Sequence, residues 1–137
     1  MYRLFFGFLL CAFLSACSTV ATECTEEFVM YFLKVVDKEG TSVFLDSITV
    51  TNRDTGEMYP DCNANGSNVP CLQLTPTEEA PSYEIMNDGF GETLKRSGTR
   101  ILVEGTRGDS SFEEEYVFKS GECHVEIESG SLEITLE

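Results

Sequence analysis

The sequence predicts an all-β domain, an antiparallel two-sheet sandwich of about seven to nine short strands. Two observations support this prediction. Short runs rich in Val, Ile, Phe, Tyr and Thr are separated by clusters of Gly, Asn, Asp and Pro, which favour turns. Several runs alternate apolar with polar residues, as strands with one buried face do. The chain of 137 residues has room for one such domain.

The first segment of the chain is predicted to be a signal peptide that is removed. Arg3 supplies a positive charge, and an uninterrupted apolar run covers residues 4–14. This run is too short to span a bilayer, which needs roughly 17–25 apolar residues. It has the length of the apolar region of a secretion signal. We therefore assign residues 1–16 to the signal peptide, residues 17–25 to a tether and residues 26–137 to a single β-sandwich domain.

The residues around the cleavage point resemble the lipobox of bacterial lipoproteins. They read Leu14-Ser15-Ala16-Cys17. The resemblance implies that Cys17 receives a lipid and becomes the first residue of the mature chain. Ser18 resembles the outer-membrane sorting signal of enteric lipoproteins, so we expect a lipid anchor in a bacterial outer membrane, facing the periplasm or the cell surface. An ordinary signal peptide followed by a coincidental cysteine is the alternative.

The charge of the chain excludes several partners. Its formal net charge is −15, and the leader contributes only Arg3, so the mature chain combines 24 acidic with 8 basic side chains. Nucleic-acid binding requires a basic surface, and anionic lipids attract basic segments. We therefore expect no nucleic-acid partner, and a membrane attachment made by the N-terminal lipid alone. The sequence does not identify a protein or glycan partner.

Four cysteines remain after Cys11 leaves with the leader and Cys17 takes the lipid, and an exported protein with four cysteines is expected to hold two disulfides. They are Cys24, Cys62, Cys71 and Cys123. Four cysteines allow three pairings, of which we favour the short loop between Cys62 and Cys71 together with the long connection between Cys24 and Cys123. The sequence has no CxxC pair and a single histidine, so we expect no metal site and no cofactor.

The strand pattern can be followed along the chain. Strands are predicted at 28–36, 43–51, 57–59, 72–74, 82–86, 100–104, 112–118, 123–128 and 132–136. The first is so apolar that we expect it to be buried on both faces, with a helix as the alternative. In the second, Asp46 breaks the apolar alternation, which indicates a bulge or a change of register near Ser47. The last two are predicted to pair as a hairpin across Ser129-Gly130.

Two passages resemble carboxypeptidase regulatory-like and transthyretin-like domains, which are sandwiches of immunoglobulin-like architecture. They are Val35-Val36-Asp37-Lys38-Glu39-Gly40 and Ile48-Thr49-Val50-Thr51-Asn52-Arg53-Asp54-Thr55-Gly56-Glu57, and Asp88-Gly89-Phe90 partly matches a later signal of that family. The resemblance covers about a quarter of the chain. Because that family is mostly non-catalytic, it implies a structural or binding module.

No catalytic group is predicted. Cys123 and His124 are neighbours on a predicted strand, so their side chains point to opposite faces and cannot form a nucleophile–base pair. A hydrolase that uses His124 is kept as an alternative, although no G-x-S-x-G elbow accompanies the histidine. The expected function is thus that of a non-enzymatic module.

The acidic and polar segments leave a second alternative, a cation- or glycan-binding surface. Glu113 and Glu115 would converge on one face of their strand, but a solvated acidic edge is the simpler interpretation. The residues at 54–57 and Asp109 are interpreted primarily as turn residues and only secondarily as cation ligands. The polar loop at 61–68 is the best candidate contact surface. Two short matches to glycosylation motifs are noted, namely Asn65-Gly66-Ser67 and Asp46-Ser47-Ile48.

Overall fold

The computed structural model describes residues 23–65, 69–76 and 81–137. Seven strands are found in these residues, in two sheets that pack against each other, which confirms the predicted all-β sandwich. The strands are β1 (Met30–Val36), β2 (Ser47–Asn52), β3 (Ser82–Asn87), β4 (Thr99–Arg107), β5 (Ser110–Ser120), β6 (Val125–Ser129) and β7 (Glu133–Thr135). Two short helices accompany them, α1 (Cys62–Asn65) and a 3₁₀ helix (Asp88–Thr93).

The two sheets differ in size and in the direction of one strand. The smaller sheet has the order β3-β1-β7, and the larger has the order β2-β4-β5-β6. All neighbouring strands are antiparallel except β1 and β7, which run parallel. The prediction of a purely antiparallel sandwich is therefore corrected at this pair, because the chain crosses over between the sheets before β7 and enters the smaller one in the direction of β1.

The hydrophobic core lies between the sheets and is built from the alternate residues that each strand turns inward. Tyr31 on β1 meets Phe118 on β5 edge to face, with ring centroids 5.2 Å apart. Tyr116 and Phe118 are fully buried, and Phe112 is partly buried and packs against the core, as the shared parity of these residues predicts. The other fully buried side chains are Leu33, Val35, Val50, Leu72, Tyr83, Ile85, Met86, Ile101, Val103 and Val125.

The first strand is not buried on both faces, so that prediction is wrong. Leu33 and Val35 face the core, but Phe28, Met30 and Phe32 are exposed by 57%, 47% and 41%. A strand is covered on both faces only when a further layer packs on the outside of its sheet. Among the described residues nothing covers this half of β1.

The irregularity predicted near Asp46 is a change of sheet. Before it, Val43 N–H donates to Val35 O in the smaller sheet at 2.9 Å. Asp46 N–H itself donates to Thr106 O in the larger sheet at 2.8 Å, and β2 begins at the next residue. The position of the break is therefore confirmed, and its form is a crossover between the two sheets.

The predicted C-terminal hairpin is also wrong in its pairing. β6 pairs with β5 in the larger sheet, whereas β7 pairs with β1 in the smaller sheet. Gly130 lies between them at a φ of 117°, and a side chain there would overlap the Tyr116 ring. The tight turn was predicted correctly, but it carries the chain from one sheet to the other.

Candidate functional site

Three segments that are distant in sequence meet at one end of the sandwich. They are the segment before β1, the start of the 3₁₀ helix after β3 and the segment before β6. The predicted disulfide between Cys24 and Cys123 is confirmed and joins the first of these segments to the last. Beside it lie Thr25, Asp88 and His124, and we call these three side chains the entrance cluster.

Asp88 is the centre of the entrance cluster. Its Oδ2 accepts the Val29 N–H at 2.8 Å and lies 2.7 Å from His124 Nδ1, while its Oδ1 accepts the Val125 N–H at 2.8 Å. The side chain is only 14% exposed, and this burial opposes ionisation. The hydrogen bonds from Val29, Val125 and His124 outweigh the burial and hold the pKa of Asp88 below its usual range.

His124 connects this carboxylate to a hydroxyl group. Because an ionised carboxylate only accepts hydrogen bonds, Nδ1 carries the proton that points to Asp88. In the neutral ring, Nε2 then accepts the hydroxyl proton of Thr25, whose Oγ1 lies 3.0 Å away. The order carboxylate, imidazole, hydroxyl is that of the triads that carry out acyl transfer.

The surroundings of the Thr25 hydroxyl differ from those of such a triad. A triad also needs backbone N–H groups that face the developing oxyanion. The two N–H groups that bind this cluster, those of Val29 and Val125, donate to Asp88 instead. The cluster instead fastens the N-terminal segment to β6 and the 3₁₀ helix. The groups that do so are the Asp88 carboxylate, the His124 imidazole and the Cys24–Cys123 disulfide.

Sequence reasoning found only one member of the entrance cluster. It correctly assigned Cys123 to a disulfide and kept His124 as an alternative site, but Thr25 and Asp88 were not considered as its partners. They lie 99 and 36 residues from His124 along the chain, and no local pattern marks them. Only the pairing of the sheets brings the three segments together.

The second predicted disulfide, between Cys62 and Cys71, is also confirmed. It closes the polar loop proposed as a contact surface, of which residues 66–68 lie outside the described part, and these include Gly66 and Ser67 of the Asn65-Gly66-Ser67 motif. The base of the loop is held by a pair of backbone hydrogen bonds, from Cys62 to Leu72 at 3.0 Å and from Leu72 to Pro60 at 2.8 Å. The Leu72 side chain is completely buried below it.

A buried polar network that the sequence did not reveal anchors the same loop to β3. Glu84 is 6% exposed and its carboxylate accepts hydrogen bonds from the Asn87 side chain at 2.5 Å and from Gln73 N–H at 3.2 Å. Asn87 also donates to Cys71 O at 3.0 Å. Each buried group therefore has a partner, which is the condition for burying polar atoms at tolerable cost.

The acidic residues considered as cation ligands have partners of their own. Glu113 and Glu115 converge as predicted, and both contact Arg53, at 3.3 and 3.5 Å. Asp54 binds Lys95 and Arg100, and the hydrogen bond from Lys95, followed by that from Arg100, holds the pKa of Asp54 below its usual range. In the part of the chain that the structure describes, no group of three His, Cys, Asp or Glu residues is arranged to hold a metal ion.

Two of the remaining polar residues are also engaged. Asp46 accepts the Gly108 N–H at 2.7 Å, and the Ser47 hydroxyl lies 2.7 Å from that of Thr106. Asp109 is exposed in the turn between β4 and β5. The contacts of Asp46 and Ser47 support a structural role for these two residues.

Comparisons with protein-family models, with curated proteins and with solved structures find no match to this chain. Within residues 23–65, 69–76 and 81–137, none of the helices has the length and apolar character needed to cross a bilayer. The conclusions about function therefore rest on the residues themselves.

Proposed function

We propose that this chain is a bacterial lipoprotein whose β-sandwich is a non-enzymatic structural or binding module, held to the outer membrane by a lipid on Cys17. The resemblance of Leu14-Ser15-Ala16-Cys17 to a lipobox motivates the anchor. A resemblance to transthyretin-like domains motivates the module.

The observation that supports the proposal most is how the chain enters the domain. Only six residues separate Cys17 from Cys24, and Cys24 is joined by a disulfide to Cys123 at the start of β6. The entrance cluster reinforces this junction with hydrogen bonds to Asp88 and His124. A tether fastened to two segments of the fold transmits load to the sandwich without unravelling β1, which suits a domain that is held at a surface.

Metabolic labelling with an alkyne fatty acid tests the anchor. We expect the wild-type chain to incorporate the label and to sediment with membranes. Cys17→Ser is expected to abolish the label, whereas Cys11→Ser, a matched change in the leader, is expected to keep it. A membrane-free, unlabelled wild-type chain contradicts the proposal. Protease treatment of intact and permeabilised cells then distinguishes a surface-exposed from a periplasmic domain.

One observation favours a second candidate, a hydrolase that acts by acyl transfer to Thr25. It is the Asp88–His124–Thr25 chain of hydrogen bonds, in which His124 would accept the hydroxyl proton as Thr25 attacks an ester carbonyl. This candidate predicts hydrolysis of p-nitrophenyl esters that falls at least 100-fold in Thr25→Val, on the scale of losing a catalytic group. Thr135→Val, on β7, is the control. Equal hydrolysis by wild type and Thr25→Val removes the candidate.

A further inference from the structure

Among the described residues, a strand pairs with the β7 side of β1 over only half of its length. β7 pairs with β1 only at Lys34, Val35 and Val36. On this side Lys34 N–H donates to Leu132 O at 2.9 Å, and Val36 O accepts Leu136 N–H at 2.8 Å. The even-numbered residues of β1 therefore turn their backbone groups toward β7.

Met30 and Phe32 have the same parity but lie before the point that β7 reaches. Their backbone N–H and C=O groups point to the β7 side, and no described segment pairs with them there. The odd-numbered residues face the other way, as shown by Val35 O, which accepts Val43 N–H. Unpaired backbone groups at a sheet edge are a template for a further strand.

The side chains beside this edge are apolar. Phe28, Met30 and Phe32 are alternate residues, so they form one line on the outer face of the smaller sheet, with steps of about 6.6–6.8 Å. We call this line the β1 strip. Solvent-exposed edges are usually protected by charges, prolines or bulges. The β1 strip carries no charge over these three positions, so it lacks the usual protection.

The neighbouring edge of β6 is different and provides an internal contrast. Its exposed side chains Glu126 and Glu128 both contact Lys119, each at 3.2 Å. Its first residue is already occupied, because Val125 donates to Asp88 and accepts the Tyr31 hydroxyl proton. The β6 edge is thus charged and partly closed, whereas the β1 edge is apolar and open.

A cavity of about 550 Å³ lies between the two edges. Val29, just before β1, and Tyr31 of β1 line one side, and residues 122–126 line the other. This volume falls within the range of about 300–1,000 Å³ typical of ligand pockets. A strand added to β1 would place its inward side chains here and its outward side chains against the β1 strip.

We propose that the β1 edge binds an extended, basic segment of a protein partner by strand addition. In this mode the main chain supplies affinity and alternate side chains supply specificity. Apolar residues at alternate positions fit the β1 strip. Lysine or arginine at the other positions and flanks fits the acidic character of the chain, whose net charge is −15. The inference rests on the proposed function of a binding module.

Hydrogen–deuterium exchange resolved to single amides tests this inference on the lipidated mature chain in nanodiscs. The probe is a synthetic peptide, KVTVKVTVK. In the free chain the amides of Met30 and Phe32 are expected to exchange rapidly and that of Leu33 slowly. Saturating peptide is expected to slow Met30 and Phe32 at least tenfold. The acidic peptide EVTVEVTVE is expected to bind at least tenfold more weakly.

Two lysine substitutions distinguish binding at the β1 edge from binding elsewhere on the surface. Phe32→Lys is expected to weaken binding of the basic peptide at least tenfold. Phe44→Lys, which changes another exposed phenylalanine in the crossover before β2, is expected to leave binding unchanged. Slow exchange of the β4 and β5 amides confirms that each variant is folded.

Three results overturn the inference. They are slow exchange of Met30 and Phe32 in the free chain, protection of Ile127 on β6 in place of β1, and the absence of protection at saturating peptide. If Met30 and Phe32 exchange slowly in the free chain, sedimentation shows whether a second copy of the chain or another part of the same chain covers the edge. Each of these results leaves the proposed lipid anchor intact, because fatty-acid labelling tests that separately.

Discussion

Asp88 Oδ2 lies 2.7 Å from His124 Nδ1, although 36 residues separate the two along the chain. The same carboxylate accepts the backbone N–H groups of Val29 and Val125, so one side chain connects the entries of β1 and β6 to the 3₁₀ helix. Substitutions at Asp88 therefore measure how much this contact stabilises the fold.

Asp88→Asn is expected to destabilise the fold by roughly 1–3 kcal/mol, the cost of leaving a buried hydrogen-bonding group unsatisfied. Asparagine has one acceptor oxygen, so its NH₂ group must face one of the donors that the carboxylate binds. Urea unfolding at pH 7 measures the change. Asp109→Asn, in an exposed turn, is the matched control and is expected to change stability little. Equal effects of the two substitutions would contradict this role of Asp88.

The acid stability of the protein depends on the same group. Because folding lowers the pKa of Asp88, its contribution is present above the unfolded value of about 3.9 and is lost as the pH falls through the folded pKa. The difference in unfolding free energy between wild type and Asp88→Asn is therefore expected to shrink below about pH 3.9. Urea titrations at pH 7, 4 and 3 measure it. A difference that stays constant or grows would be inconsistent with a lowered pKa.

The two disulfides are expected to contribute unequally. The bond between Cys24 and Cys123 spans 99 residues and that between Cys62 and Cys71 spans 9. Constraint of the unfolded chain gives about 4.7 kcal/mol for the long loop and about 2.7 kcal/mol for the short one. Paired Cys→Ser substitutions at each bond, compared by urea unfolding, check the order. A larger loss at the short loop would show that strain or native contacts dominate.

Gly130 is expected to tolerate no side chain. Its φ of 117° disfavours other residues, and a Cβ there would overlap the ring of the buried Tyr116. Gly130→Ala is therefore expected to cost more than the roughly 1–2 kcal/mol of the backbone conformation alone. Gly40→Ala is the control, since Gly40 also has a positive φ, 81°, but nothing lies within 4 Å of its Cβ position. Thermal unfolding should separate the two variants, and equal midpoints would contradict the overlap.

Glu84→Ala is expected to destabilise the base of the stapled loop by roughly 1–3 kcal/mol, because it removes the acceptor of one buried and one partly buried hydrogen bond. The donors of these bonds are the Asn87 side chain and Gln73 N–H. Glu104→Ala, at an exposed position of β4, is the control. Amide exchange at Gln73 gives a local readout and should accelerate only in the first variant. Unchanged exchange there would mean that water replaces the carboxylate without cost.

Much of the fold could be predicted because strand patterns are local. The alternation of apolar and polar residues identified β4, β5 and β6, and the misfit at Asp46 identified the position of the crossover. Burial could not be predicted from composition alone. The run at 28–36 is almost entirely apolar, yet Phe28, Met30 and Phe32 are exposed, since no described residue covers the outer face of the smaller sheet there. The candidate site was harder to predict, because no local sequence pattern marks Asp88 and Thr25 as partners of His124.

The sequence by itself determined the strand-forming segments and the turn at Ser129-Gly130, and it predicted two disulfides whose pairing the structure then established. These follow from a period of two, from turn chemistry and from an even number of cysteines after the predicted leader. Only the tertiary structure decided that β7 pairs in parallel with β1, that it does so only at Lys34–Val36, and that Thr25, Asp88 and His124 meet. The physical reason is that alternation fixes which face a residue occupies but not which strand lies beside it. That choice depends on the packing of the whole core.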